Sequence, residues 1–220
     1  MSDRRAELLL LGGGESTLNP ALWSIYGENA AQLTMTRPDP NGPLILKATA
    51  DTMRSGAVYT PIADTTQNCK LTLEYVIKGW PATASLVSAA AARLTPGVGG
   101  ANIKTWMISQ AKTSATARSV SGYKFINNGV VAAGNANPAD AEWVDNSTHI
   151  LAEIEIATLI GGAPPIVYCR AKLKGATSWA LNSSREDPDP VIESGQFGLF
   201  CFRLLNGMSV EVYDFKVELS

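Results

Sequence analysis

The stretch CKLTLEYVIK, residues 69–78, carries the pattern that decides the fold. Its odd-numbered positions are all apolar, and four of its five even-numbered positions are polar. Successive side chains of a β-strand point to opposite faces, whereas a helix repeats its apolar residues every three to four positions. The alternation therefore predicts a strand with one face on a core and the other face in water.

The same alternation recurs in the second half of the chain. It covers HILAEIEIA, residues 149–157, and IVYCRAKL, residues 166–173. Two further segments, residues 197–202 and much of residues 210–219, are apolar on both faces. This is typical of central strands that are covered on both sides, and we favour that interpretation over strands at a subunit contact.

Helical signals are weak, and turn residues are frequent. Residues 85–94 are rich in alanine, but they lack a capping box and Pro96 follows them, so we predict a strand there. Turns that contain Gly, Pro or Asn separate the strand patterns. Together these features predict an all-β fold: a single antiparallel β-sandwich or jelly roll of roughly a dozen strands, with few or no helices. We assign residues 1–220 to one domain, with residues 1–20 as an N-terminal arm.

The composition excludes several classes of protein. Of the 220 residues, 45% are hydrophobic and 17% are charged, which is typical of a folded chain. The formal net charge is −2 and no cluster of basic residues stands out, so nucleic acid is not an expected partner. The apolar run at residues 8–11 is too short for a signal peptide or a membrane span. We therefore expect a protein that is made in a cytosol and does not insert into a membrane.

A specific order of features follows residue 148. A strand at residues 148–154 is followed by Arg170-Ala171-Lys172, Trp179, SGQFGLF at residues 194–200 and VEVYDFKV at residues 210–217. This order resembles the closing third of the concanavalin A-like lectin/glucanase superfamily in its LamG-like jelly-roll form. The resemblance implies two antiparallel sheets packed face to face, with the N-terminal and C-terminal strands close together.

The superfamily includes glycoside hydrolases, which carry Glu-x-Asp-x-Glu on one strand. Retaining hydrolysis needs a nucleophile and an acid/base about 5 Å apart. The nearest match here is Glu153-Ile154-Glu155, which lacks the third acid and has no flanking aromatic residue. We interpret the two glutamates as part of a solvated strand face, assign no catalytic residue and expect a protein that is not an enzyme.

Metal and cofactor sites are not predicted. Cys69, Cys169 and Cys201 fall at apolar positions of predicted strands, which indicates buried thiols. His149 is the only histidine, so a zinc site of the usual nitrogen and sulfur ligands cannot be assembled. We interpret DPDP, residues 187–190, as a rigid turn rather than a calcium site.

Two tryptophans are candidates for contact with a carbohydrate or a protein partner. Trp80 precedes Pro81, and Trp143 lies among polar residues. In such turn-like contexts an exposed indole can stack on a sugar or anchor a partner. The alternative interpretation is that these rings cover the ends of the sandwich.

The leading hypothesis for function is a non-catalytic structural or surface protein of a virus-like particle, such as a bacteriophage capsid decoration protein or tail adhesin. The expected location is the virion, and the expected partners are further copies of the chain or other virion proteins, with surface glycans as a further ligand. Viral use of jelly rolls is a fold-level analogy. A carbohydrate-binding module and a glucanase-type hydrolase that acts through Glu153 and Glu155 are the alternatives.

Overall fold

The fold consists of β-strands joined by turns and loops. A computed structural model describes residues 17–62, 66–81, 85–96, 102–112, 118–127, 129–136, 143, 146–157, 164–187, 192 and 194–220. These residues contain fourteen strands and two 3₁₀ helices, Pro20–Leu22 and Ala30–Gln32. The all-β prediction is confirmed. The strands are β1 (Trp23–Gly27), β2 (Leu33–Thr36), β3 (Leu44–Ala48), β4 (Thr52–Tyr59), β5 (Cys69–Lys78), β6 (Ser85–Thr95), β7 (Lys104–Lys112), β8 (Arg118–Ile126), β9 (Gly129–Ala136), β10 (Ile150–Ala157), β11 (Ile166–Leu173), β12 (Leu181–Glu186), β13 (Gln196–Leu204) and β14 (Ser209–Leu219).

The strands form two seven-stranded antiparallel sheets. Sheet A has the order β1-β4-β13-β6-β7-β8-β9, and sheet B has the order β12-β11-β10-β5-β14-β3-β2. Strands β6 to β9 follow one another in sheet A, and β10 to β12 follow one another in sheet B. The C-terminal strand β14 pairs with β5 on one side and with β3 on the other, so it is an interior strand of sheet B.

Apolar side chains between the two sheets form the main core. The alternating residues of β5 supply Leu71 and Leu73 from sheet B, and Trp106 and Phe197 come from sheet A. Three aromatic rings join the first and last strands, because Phe215 of β14 lies 4.8 Å from the Trp23 ring centroid and 5.3 Å from that of Tyr59. The N-terminal and C-terminal strands are therefore packed together, as the resemblance implied.

Sheet A is buried on its other face as well. Met107, Phe125 and Phe200 alternate with residues of the main core and belong to a second hydrophobic cluster on the opposite face of the sheet. All three side chains are fully buried. The expectation that residues 197–202 form a central strand covered on both sides is confirmed, since β13 is the third strand of sheet A.

Two further features concern the N-terminal segment and the turn between β13 and β14. Residues 1–16 of the predicted N-terminal arm lie outside the described residues, whereas Leu18 is buried in the main core and Thr17 donates a hydrogen bond to the Phe215 carbonyl oxygen. The chain from Thr17 onward is thus part of the sandwich. Between β13 and β14, Gly207 adopts a φ of +83°. This backbone conformation favours glycine in a tight turn.

Buried charged groups hold the loops at the ends of the sandwich. Arg93 has a positive φ of 49°, and its guanidinium donates to the carbonyl oxygens of Thr66 and Gln67 at 3.1 and 3.2 Å. Lys124 of β8 forms an ion pair with Asp187, which directly follows β12, and this pair connects sheet A with sheet B. Both partners of the ion pair are buried.

Replacement of Phe215 tests the ring cluster that joins the chain ends. The Phe215→Ala substitution leaves a cavity between Trp23 and Tyr59, and we expect it to lower the free energy of unfolding by about 3–5 kcal/mol. Urea denaturation measures the change. The exposed-site control Val130→Ala should stay within about 0.5 kcal/mol of the wild type. A loss below about 1 kcal/mol for Phe215→Ala would show that the ring cluster is not part of the core.

Candidate functional site

The two tryptophans that the sequence suggests as contact candidates, Trp80 and Trp143, differ in exposure. The side chain of Trp143 is only 4% exposed and belongs to the main core, so the expectation of an exposed indole is wrong at this position. Its backbone carbonyl accepts a hydrogen bond from the Gln110 side chain. Polar neighbours along the chain indicate a loop, but they do not determine whether a ring within it points outward. The position of Trp143 agrees with the alternative interpretation, in which the ring covers the core.

Trp80 keeps part of its surface. The ring is half-buried against the main core, and the backbone N–H groups of Gly79 and Trp80 donate to the Asn146 side-chain oxygen at 2.8 and 3.2 Å. These hydrogen bonds tie the Trp80 loop to the segment that follows Trp143. The accessible part of Trp80 leaves it a contact candidate, and its role remains a prediction.

The outer face of sheet B carries the two glutamates of the enzyme alternative. Glu153 of β10 lies between Lys70 of β5, at 2.7 Å, and Arg170 of β11, with which it also forms an ion pair. Glu155 contacts the same Arg170 guanidinium at 3.1 Å. Burial by itself would lower the pKa of Arg170, but the hydrogen bonds and charges of Glu153 and Glu155 outweigh it and raise the pKa. Both carboxylates are therefore held by a permanent cation.

A row of aromatic and cationic side chains lies beside these glutamates on β11 and β12. Tyr168, Arg170 and Lys172 share the outer face of β11 because Val167, Cys169 and Ala171 point into the core. The row also includes Trp179 from the loop between the two strands, and Asn182 and Ser184 on β12. We call this set of six residues the β11 strip.

Cations lie over the two aromatic rings of the β11 strip. The Arg170 guanidinium is 5.0 Å from the Tyr168 ring centroid, and Lys172 Nζ is 4.9 Å from the Trp179 ring centroid. Lys172 also donates to the Ala176 carbonyl oxygen at 3.0 Å, which holds the loop that brings Trp179 onto the sheet. Cation–π contacts of this kind orient the rings at the surface.

The β12 side of the strip supplies polar groups next to the rings. Ser184 pairs in register with Tyr168, and Asn182 pairs with Arg170, so the four side chains form two adjacent rows. Asn182 and Ser184 are exposed, while Tyr168 and Trp179 are half-buried. Half-buried rings offer apolar area, and the amide and hydroxyl groups both donate and accept hydrogen bonds. The strip thus combines the two kinds of group that a sugar ring requires.

A second polar cluster surrounds Glu74 of β5 on the outer face of sheet B. It consists of Glu74, His149, Lys174 and Tyr213, and we call it the His149 cluster. Glu74 Oε1 lies 2.7 Å from His149 Nδ1 and 2.8 Å from Lys174 Nζ. The His149 and Tyr213 ring centroids are 4.3 Å apart. Leu151 separates this cluster from Lys172 of the strip, since Leu151 pairs with both Lys172 and Glu74.

The charges in the His149 cluster are mutually compensated. Partial burial would raise the pKa of Glu74, but hydrogen bonds from Lys174 and His149 outweigh it and hold the pKa below its ordinary value. Tyr213 alternates with the buried Val212 and lies on this face beside a register shift of β14, and its hydroxyl donates to Glu211 Oε2 at 2.9 Å. Burial and the negative Glu211 carboxylate raise the pKa of Tyr213 to about 12. The Tyr213 hydroxyl is accordingly protonated at neutral pH.

Sheet A presents no comparable polar face at its centre. The second hydrophobic cluster occupies the outer side of β7, β8 and β13, where Met107, Phe125 and Phe200 have no exposed surface. Among the described residues, the aromatic and charged groups available to a ligand are therefore concentrated on sheet B.

One hollow, at the ends of β5, β10 and β14, has a volume of about 180 Å³ and is lined by Lys70, Glu155 and Glu218 among others. Ligand pockets usually exceed about 300 Å³. No group of three His, Cys, Asp or Glu within the described ranges could hold a metal ion. The same part of the chain contains no helix with the length and apolar character needed to cross a bilayer.

The three cysteines are buried free thiols, as the sequence indicated. Burial raises the pKa of Cys69 to about 11 and the pKa values of Cys169 and Cys201 to about 12. Because the thiolate is the reactive form, these side chains are inert at neutral pH.

Comparison with known proteins identifies the fold. No protein-family model and no curated protein sequence matches the chain. It is similar to the legume lectin-like domain from Entamoeba histolytica, with a TM-score of 0.55, 12% identity and coverage of 90% of this chain and 89% of that one. The CBM2 module of Lactobacillus casei BL23 phage J-1 evolved Dit matches with a TM-score of 0.51, 10% identity and coverage of 91% and 90%. The marine PL-14 alginate lyase from Aplysia kurodai matches with a TM-score of 0.50, 8% identity and 90% coverage of both chains.

These likenesses show the architecture and nothing finer. The chain has a lectin-like jelly-roll fold. Because the matched structures include both carbohydrate recognition domains and a lyase, the fold alone does not decide between binding and catalysis.

The sequence contained part of the signal for the β11 strip. Tyr168, Arg170 and Lys172 alternate with apolar residues, so the sequence shows their common face, but alternation by itself indicates only a solvated surface. Their pairing with β12 and the position of Trp179 over Lys172 depend on tertiary structure. An aromatic residue and two cations at alternate positions of one strand could have indicated the site.

The acid stability of the protein should depend on Glu74. Because its pKa is lowered in the folded state, its ion pairs stabilise the fold above the ordinary carboxyl range, and this contribution is lost as pH falls through the folded-state pKa. We expect Glu74→Gln to lower the free energy of unfolding at pH 7 by about 1 kcal/mol, with the difference from wild type disappearing once the pH is below the folded-state pKa of Glu74. Urea denaturation across this pH range measures the effect.

Glu218→Gln is the control for this measurement, because the ion pair of Glu218 among the described residues is with Lys216, two residues away on the same strand. Such surface pairs contribute little, so this variant should follow the wild type at each pH. A deficit for Glu74→Gln that persists after the carboxyl groups are protonated would contradict the role assigned to its charge.

Proposed function

We propose that the protein is a non-catalytic surface protein of a bacteriophage-type particle, an adhesin that binds glycans through the β11 strip. One observation carries the proposal. The outer face of sheet B offers half-buried aromatic rings beside exposed hydrogen-bonding groups, while the carboxylates on the same face are held in ion pairs. Such a surface is equipped to bind a polar ligand and poorly equipped to transform one.

The chemistry of the strip suits a glycan. A sugar ring has apolar C–H faces, which stack on aromatic rings, and hydroxyl groups at its rim. Trp179 and Tyr168 supply the rings, and Asn182 supplies an amide that can both donate and accept hydrogen bonds. The strip lies on regular strands and one short loop, so its groups are positioned before the ligand arrives, which reduces the entropy lost on binding.

The ion pairs favour binding over hydrolysis. A retaining glycosidase needs one protonated carboxyl group and one free carboxylate on either side of the scissile bond. Glu153 instead contacts both Lys70 and Arg170, and Glu155 shares the same guanidinium. Neither carboxylate is placed as an isolated acid or as an available nucleophile.

The proposed location in a bacteriophage-type particle is supported by a likeness of fold. The chain shares its fold with the CBM2 module of a phage Dit protein, which is an analogy at the level of fold. A capsid decoration protein and a tail adhesin are both compatible with this likeness, and a glycan-binding face favours the adhesin.

Glycan binding is tested with an array of bacterial surface polysaccharides and plant β-glucans, followed by calorimetry on the best ligand. We expect Trp179→Ala and Tyr168→Ala each to weaken binding about tenfold, the effect of about 1.4 kcal/mol of stacking. The comparison variant is Trp80→Ala, since Trp80 is the candidate at the end of the sandwich. Unchanged melting temperatures would show that all three variants remain folded.

Two outcomes would contradict this assignment. Loss of binding in Trp80→Ala alone would move the site from the β11 strip to the Trp80 loop. Release of reducing ends from a β-glucan that disappears in Glu153→Gln would establish a hydrolase instead of a binding protein.

The particle location has its own test. Particles purified by density gradient from the cells that produce this chain should contain it at a fixed ratio to the major capsid protein, as measured by quantitative mass spectrometry. Recovery of the chain only in the soluble fraction, with none in the particle band, would contradict a virion role.

A further inference from the structure

Lys172 differs from the other cations of β5 and β11. Lys70, Lys78 and Arg170 each form an ion pair with a glutamate on the outer face of sheet B. Within the described ranges, no acidic side chain forms an ion pair with Lys172. The β11 strip therefore contains one cation whose charge is not used inside the protein.

The sequence of β10 explains why Lys172 lacks an acidic partner. The outer face of β10 carries Leu151, Glu153 and Glu155, which alternate with buried residues. The register places Glu153 opposite Arg170 but Leu151 opposite Lys172. Opposite charges across neighbouring strands stabilise a sheet, and β10 offers this pairing to Arg170 and an apolar side chain to Lys172. The charge of Lys172 is thus left for a group outside the sheet.

Lys172 is also held in place next to an aromatic ring. The side chain is half-buried, its Nζ donates to the Ala176 carbonyl oxygen at 3.0 Å, and it lies 4.9 Å from the Trp179 ring centroid. An ammonium group has three N–H donors, and the Ala176 carbonyl uses one of them. A lysine that is already positioned loses less side-chain entropy when it binds a ligand than one that extends freely into water.

The acidic side chains around Lys172 do not neutralise it. Glu153 lies diagonally across from it but already forms ion pairs with two other cations. Glu74 lies two strands away, at a Cα separation of about 10 Å, and is likewise paired twice. The exposed Asp214 is one strand further, at about 15 Å, which exceeds the Debye length of about 8 Å at physiological salt. The surface beside Trp179 is therefore locally positive, although the formal net charge of the protein is −2.

We propose that the glycan bound by the β11 strip is acidic, and that Lys172 binds the carboxylate of a sugar residue that contacts Trp179; this step rests on the proposed glycan site. A hydrogen bond between two charged groups is roughly twice as strong as one between neutral groups, so a uronic acid gains more from Lys172 than a neutral sugar does. Arg170 does not serve this purpose, because a ligand carboxylate beside it would meet Glu153 and Glu155. Lys172 is accordingly the residue that determines specificity for charge.

The preference for charge is tested with polymers that differ only in their carboxylates. Alginate, polygalacturonate and hyaluronate are each compared by calorimetry with the carboxyl-reduced form, in which a hydroxymethyl group replaces the carboxylate. We expect at least one of the three to bind about tenfold more tightly than its reduced form. Because salt screens exposed charges, the difference should shrink between about 50 mM and about 500 mM NaCl.

Substitution of Lys172 assigns the preference to this residue. Lys172→Met keeps the aliphatic stem and removes the charge, so the affinity for the acidic polymer should fall about tenfold while that for the reduced polymer stays unchanged. Lys172→Arg should retain the preference. The matched control is Lys216→Met, which removes the same charge from the outer face of sheet B at β14, three strands away, where Lys216 is paired with Glu218. We expect this control to stay within about twofold of the wild type.

The outcomes separate this specificity from the glycan site itself. An equal loss of both polymers in Lys172→Met would show that Lys172 only positions Trp179, and it would overturn the role assigned to its charge. A wild type that binds acidic and reduced polymers equally, or that binds neutral glycans only, would also overturn it. In either case, weaker binding by Trp179→Ala would leave the glycan site standing. Binding of no glycan at all would overturn both proposals.

Discussion

The burial of apolar side chains between sheets A and B is the interaction on which the rest of the structure depends. Neither sheet can exist alone, because each has one face of leucine, isoleucine and aromatic side chains that must leave water. The constraint also fixes register. A slip of one residue in β5 would move Leu71 and Leu73 to the solvent and bring Lys70 and Glu74 into the core. The positions of all the surface groups follow from this register.

Sheet A has a second constraint, since its other face is apolar too. Met107, Phe125 and Phe200 are as buried as the residues that face sheet B. The consequence is a division of roles between the sheets. Sheet A contributes to two hydrophobic clusters, while the outer face of sheet B keeps its polar side chains at the surface and pairs most of its charges.

The fold could be predicted from sequence because its signal is local. Alternation along residues 69–78 and 166–173 predicts two strands whose bounds agree with β5 and β11, and the lack of helix caps correctly predicts a strand for the alanine-rich segment that forms β6. The site could be predicted only in part. Alternation shows that Tyr168, Arg170 and Lys172 share a face, but not that Trp179 folds back over Lys172. Trp143 was misplaced because loop context does not indicate the direction of a ring.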